Sequence, residues 1–127
     1  MSAINVGVLK AAFDNAFGSV SRFNYDDLGS AALATQTAAT PLPGALHRVT
    51  SGAATASFIM KSMLSKEANN VVIVVNDGAN SINVYPAVGE TMNGAANAAL
   101  AIAAGATGFF IQTSTSGVKD WRAGVIT

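Results

Sequence analysis

The sequence predicts a mainly β protein: a compact β-sandwich or barrel-like domain preceded by an extended N-terminal arm and a short amphipathic helix. Three observations predict it. Val71-Val72-Ile73-Val74-Val75 is a β-branched run, apolar on both alternating faces, which suits a strand buried on both sides. Short apolar runs recur about every ten residues with turn residues between them, the spacing of a sandwich or barrel. The strand signals are densest in residues 71–122, which also hold the single Trp and are punctuated by Asn, Asp and Gly.

Taken in order, residues 2–8 alternate apolar and other side chains as an extended arm does, with Ile4, Val6 and Val8 on one face. Leu9, Phe13, Phe17 and Val20 then recur at helical spacing, and Gly18-Ser19 marks a stop. The stripe either packs on the β core or docks onto a neighbouring subunit; a terminal alternating strand can also add to another protein's sheet edge. Phe23-Asn24-Tyr25-Asp26-Asp27-Leu28 is expected to turn, with its adjacent carboxylates solvated rather than set around a cation. The Ala/Thr tract of residues 30–40, closed by Pro41-Leu42-Pro43-Gly44, reads as a semi-extended connector. The chain therefore divides into residues 1–44 (arm, helix and connector) and residues 45–127 (β domain).

Within the β domain, residues 46–50 predict a strand, and residues 57–64 fit a strand better than a short helix because of their Ser/Thr flanks. Asp77-Gly78 between two apolar runs is a strong hairpin signal, so residues 71–75 and 81–85 are expected to pair through a longer loop or a bulged turn. In the second run Ile82 and Val84 share one face and Tyr85 takes the other, and Pro86 ends the ladder. Gly89, Asn93 and Gly94 mark turns. Residues 98–103 and 109–113 read as strand, glycine-rich turn, strand, and Trp121 with Val125-Ile126 as a last short strand or an anchored tail.

Composition narrows the function classes. Of 127 residues, half are hydrophobic and 11% charged, against about 25% in typical globular domains, so partners are expected to cover part of the surface. Net charge is zero without a basic cluster, which argues against nucleic-acid binding. With no Cys and one His, neither a thiolate site nor a two-histidine metal site can form within one chain. No apolar stretch is long enough for a spanning helix, so no membrane partner is expected.

The acids are Asp14, Asp26, Asp27, Glu67, Asp77, Glu90 and Asp120, and helix faces, turns and loops account for most of them. A carboxylate pair for glycoside hydrolysis is the weaker reading, because it also needs a cleft. No Ser stands in a nucleophile elbow, Gly105-Ala106-Thr107-Gly108 matches no phosphate loop, and Asp77-Gly78-Ala79-Asn80 offers too few oxygens for calcium. No catalytic residue, cofactor or metal is expected. Val84, Tyr85, Phe110 and Trp121 are expected in the core or a trimer interface, where aromatics contribute large contact area; stacking on sugars is the competing reading.

The run GANSINVYPAVGETMNGAANAALAIAAGATGFFIQ, with its Asn83-Val84-Tyr85-Pro86 and Asn93-Gly94 anchors and the closing Trp121, resembles the β modules of small tailed-bacteriophage structural proteins. These include head decoration (cement) proteins and head-fibre or tail-fibre domains, and the resemblance covers about the last 55 residues. It implies a non-enzymatic virion protein on the phage head surface, assembled in the host cytoplasm. It implies a homotrimer whose partner is the major capsid protein or another virion protein. Ile4, Val6, Val8, Leu9, Phe13 and Phe17 would then attach it. A receptor- or glycan-binding module of a phage head or tail fibre is the competing expectation. Known decoration proteins also carry gripping arms, but the simplest lack a helix like the one expected here.

Overall fold

The computed structural model describes residues 25–30, 35–54, 56–62, 71–115 and 118–127. The expected arm and amphipathic helix, with Ile4, Val6, Val8, Leu9, Phe13 and Phe17, lie outside the described residues. The described residues form eleven strands and no helix: β1 (Tyr25–Ser30), β2 (Thr40–Pro41), β3 (Leu46–Gly52), β4 (Ser57–Ile59), β5 (Val71–Asn76), β6 (Ile82–Tyr85), β7 (Thr91–Met92), β8 (Ala95–Ala96), β9 (Leu100–Ile102), β10 (Thr107–Thr115) and β11 (Val118–Ile126).

The strands make two mixed sheets. The seven-stranded sheet has the order β1-β3-β5-β10-β11-β7-β8, and the four-stranded sheet has the order β2-β4-β6-β9. From β1 to β7 the chain changes sheet at every step. Consecutive strands are therefore not ladder neighbours; the neighbours are strands two apart, and they run parallel: β1 with β3, β3 with β5, β2 with β4, β4 with β6. A parallel pair needs a crossover, and here each crossover carries a strand of the other sheet.

This topology corrects the hairpin expected across Asp77-Gly78. β5 and β6 belong to different sheets, and the intervening loop crosses between them. The φ angles give the reason. Gly78 is not among the positive-φ glycines, so the turn that makes Asp-Gly a hairpin signal does not form. The mirror-image turn is at Asn93-Gly94 instead, where φ is 52° and 84°, and it joins β7 to β8 with Met92 opposite Ala95. The long antiparallel hairpin pairs β10 with β11, from Thr107↔Ile126 to Thr115↔Val118, so the tail after Trp121 is most of a nine-residue strand.

Three further expectations change. Residues 25–28 belong to β1, parallel to β3, rather than to a turn. Its adjacent polar residues hid a strand that takes its ladder from β3. Of residues 57–64 only Ser57–Ile59 is strand, and residues 63–64 lie outside the described residues. Of the tract read as a connector, Thr40–Pro41 pairs with β4 and Leu42, 2% exposed, sits in the core.

One hydrophobic core draws on both sheets. Val49, Val72, Val74, Met92, Phe110 and Trp121 come from the larger sheet, and Phe58, Ile82, Val84 and Ile102 from the smaller. β5 is buried on both faces as its composition predicts: Val72 and Val74 face this core, and Ile73 and Val75 on the other face are equally inaccessible. Gly108 permits a close approach between the sheets, since a Cβ there would stand 2.5 Å from Ile102 Cδ1 and 3.0 Å from Phe110 Cε2. Ile102 is fully buried and has nowhere to retreat.

The crossings are tied by Asn76, the last residue of β5, which is fully buried. Its Nδ2 donates to Asn80 O (2.8 Å) and to Ile102 O (2.9 Å), and its Oδ1 accepts from Gly78 N–H (3.2 Å). Its own N–H donates to Ala106 O, and its carbonyl accepts from Gly105 N–H. One residue thus holds the β5–β6 loop, the end of β9 and the β9–β10 loop. Asn76→Ala leaves the buried Ile102 carbonyl without its donor and frees the Asn80 and Gly78 backbone, and the expected loss is about 2–3 kcal/mol of unfolding free energy, read by urea titration at neutral pH.

Candidate functional site

The chemistry-bearing side chains are dispersed. Among the described residues no group of three or more His, Cys, Asp or Glu could hold a metal ion. Asp77 Oδ2 lies 2.7 Å from Arg48 Nη2 at the mouth of the β5–β6 crossing, and both side chains are a third or more exposed. Such a pair contributes about 0.5 kcal/mol after solvent screening. Ser62 donates to Glu90 Oε2 at 3.1 Å, tying the segment after β4 to the residue before β7.

Asp120, on β11, is 5% exposed and anchors the β7–β8 hairpin. Its Oδ1 accepts from Thr91 Oγ1 and, at 2.9 Å, from Gly94 N–H. Its Oδ2 lies 3.0 Å from Arg122 Nε, an ion pair whose N–H is not aligned for a hydrogen bond. Asn93 completes the attachment. Its amide donates to Ala123 O (3.1 Å) and accepts from Ala123 N–H (2.9 Å), standing in for a strand residue beside β11.

In the sequence Asp120 is one acid among seven. A short polar residue beside a Trp, with Thr and Asn-Gly about 30 positions upstream, carries no local signal for this pairing.

Of the residues expected in the core or an interface, Val84, Phe110 and Trp121 are buried at 1% exposure or less, and Tyr85 is half-buried. The Trp121 ring faces the core, and its indole Nε1–H has no hydrogen-bond partner among the described residues. It is not placed to stack on a sugar. Trp121 also lines a narrow crevice with Leu42, Gly44, Met60, Lys61 and Val72, with about 10 Å³ of water-sized space. That is room for one water and not for a saccharide or a cofactor.

The surface feature with the form of a contact site lies on the larger sheet. Val71 on β5 and Ile111 on β10 are register partners, 43% and 52% exposed, and Arg122 stands opposite Ile111 on the other side. Directly opposed residues share a face, so the row presents two large aliphatic side chains beside a guanidinium. Val88 and Val125 are also exposed, on the loop after β6 and near the end of β11. No protein-family model, curated protein or solved structure matches the chain.

The Asp120 contacts predict an acid response. Burial works to raise its carboxyl pKa, but the hydrogen bonds from Thr91 and Gly94 and the Arg122 charge outweigh burial and hold it below the ordinary 3.8. The carboxylate's contribution is therefore full above pH 3.8 and is lost as pH falls through the lower folded value. Asp120→Asn is expected to reduce stability at pH 7 by about 1–2 kcal/mol and to flatten the stability curve below pH 3.8, both read by denaturant titration across pH.

Proposed function

We propose that the chain is a virion structural protein: a capsid decoration protein of a tailed phage that acts as a homotrimer on the assembled head. The observation that carries the reading is the exposed Val71–Ile111 row on a central strand pair, in a chain only 11% charged. The two sheets close as a β-sandwich and supply the trimer contacts. Residues 1–24, with Ile4, Val6, Val8, Leu9, Phe13 and Phe17, supply attachment to the major capsid protein or another virion protein. The mechanism is mass action: a protein that binds only the assembled shell stabilises that shell in proportion to its occupancy. No enzymatic step belongs to this reading.

Two measurements test its parts. Light scattering of the purified chain is expected to give a trimer of the 12.8 kDa protomer, and Ile111→Asp to give monomers with an unchanged far-UV circular dichroism spectrum. A monomeric unmodified chain removes the trimer from the proposal. Deletion of residues 1–24 is expected to abolish binding to undecorated shells while thermal unfolding stays cooperative. The truncation stops before Tyr25 because β1 and β2 pair into the sheets and Leu42 is core. Undiminished binding by the truncated chain would sink the attachment role.

A further inference from the structure

His47, on β3, is fully buried, and its ring joins two separate parts of the chain. Gly44 N–H donates to Nε2 at 3.1 Å, and Nδ1 is 3.2 Å from Ile73 O. A backbone N–H can only donate, so Nε2 carries the lone pair and Nδ1 carries the proton that meets the carbonyl. The ring is thus neutral, with its tautomer set by the two backbone groups. Gly44 belongs to the loop between β2 and β3, whose other ties are Leu42 N–H to Ile59 O (2.8 Å) and Ile73 N–H to Ala45 O (2.7 Å). Pro43 between them has no N–H to offer.

We propose that His47 is a proton-operated latch: protonation at Nε2 releases the loop at residues 42–44 and opens the crevice onto Trp121. The proton can enter only at Nε2, where the new N–H would point at the Gly44 N–H, donor against donor. The hydrogen bond is lost and a charge is created in an apolar site, so the ring and the loop must separate for the cation to reach water. Leu42 and Gly44 form one wall of the crevice, while Met60, Val72 and Trp121 form the others, so movement of the loop admits solvent to the indole.

The Lys61 charge favours opening. Lys61, following β4, lines the crevice and adds positive charge near the ring, and β5 carries no ionisable residue. Arg48, next on β3, is engaged by Asp77, and Asp26 and Asp27 belong to β1, the neighbouring strand of β3. Burial lowers the closed-state His47 pKa to about 4, against the raising effect of the Ile73 hydrogen bond and with a smaller lowering from Lys61. Once open, the imidazole returns toward its ordinary 6.5. The closed form is therefore fully favoured above pH 6.5 and loses its advantage progressively as pH falls toward 4.

The chain has one His and one Trp, which makes the test direct. The full chain is titrated from pH 7.5 to 4 with three readouts: the His47 ring resonances, the Gly44 amide resonance with its hydrogen exchange, and acrylamide quenching of Trp121 fluorescence. The expected result is a shared midpoint between pH 6.5 and 4, with Gly44 protection lost and quenching increased several-fold while far-UV circular dichroism holds. His47→Gln, which has no proton to take up, is expected to show no such transition. The proposal is overturned if Gly44 and Trp121 stay protected through the His47 titration, or if the glutamine variant opens at the same pH. Should that variant fail to fold, the unmodified chain decides alone, because separate midpoints for His47 and Gly44 are incompatible with a latch.

Discussion

A buried primary amide is the constraint on which the larger arrangement depends. Where β5 ends, the chain must leave one sheet for the other, and no ladder partner is available to the groups in the crossing. Asn76 meets that need with both Nδ2 protons, its Oδ1 and both of its backbone groups engaged. Its side chain is fully buried, and the bond to Ile102 O is made in the interior, a low-dielectric setting where an unmade bond would be costly. Its reach to Ile102 O also sets the height of β9 against β5, which in turn places Ile102 against Gly108. The register of the two sheets is thus referred to one side chain.

The apolar strands β3, β5, β6, β9 and β10 were legible in the sequence, whereas β1, which reads as a turn, the two-residue strands and the pairing were not. The β-branched run at residues 71–75 and the alternation of Ile82, Val84 and Tyr85 report which face of a strand is buried, a property of each strand alone. Whether two successive strands share a sheet depends on the path of the loop between them. For Asp77-Gly78 that path is decided at a distance: Asp77 N–H bonds Val49 O, Asn80 Nδ2 bonds Gly52 O, and Arg48 holds the Asp77 carboxylate. All three partners lie on β3, about 25–30 residues upstream. A local turn signal cannot report contacts of that separation, and tertiary context overrode it. At Asn93-Gly94 the local signal and the tertiary path agree, because Met92 and Ala95 are direct partners.

The candidate site was legible in a similar, partial way. Large apolar side chains announce burial, so residue type alone points Val84, Phe110 and Trp121 to the core or an interface, and within the chain all three are buried. Exposure of Val71 and Ile111 could not be assigned so, since both are strand formers of the kind that fill cores. Only their place at the start of β5 and opposite it on β10 leaves them uncovered. His47 and Asp120 were the least legible. Each does its work through backbone groups, and backbone groups have no sequence signature.

The polar residues of this chain follow from its topology. In a meander each strand pairs with the next, and the ladder itself holds the turns. Here successive strands go to opposite sheets as far as β7, so the crossings receive little from either ladder. Side chains take over: His47 at the β2–β3 crossing, Asn76 and Asp77 at β5–β6, Asn80 reaching back to β3. Where the path does return to the same sheet, at β7–β8, Asp120 and Asn93 bind the short hairpin to β11, because two-residue strands make too few ladder bonds to stay in place unaided. A fold of this kind can be built with few charges, but it needs small polar side chains at each change of direction. Substitution by residues of equal hydropathy and different hydrogen-bonding pattern would therefore be tolerated worst at the crossings, and best along the strands.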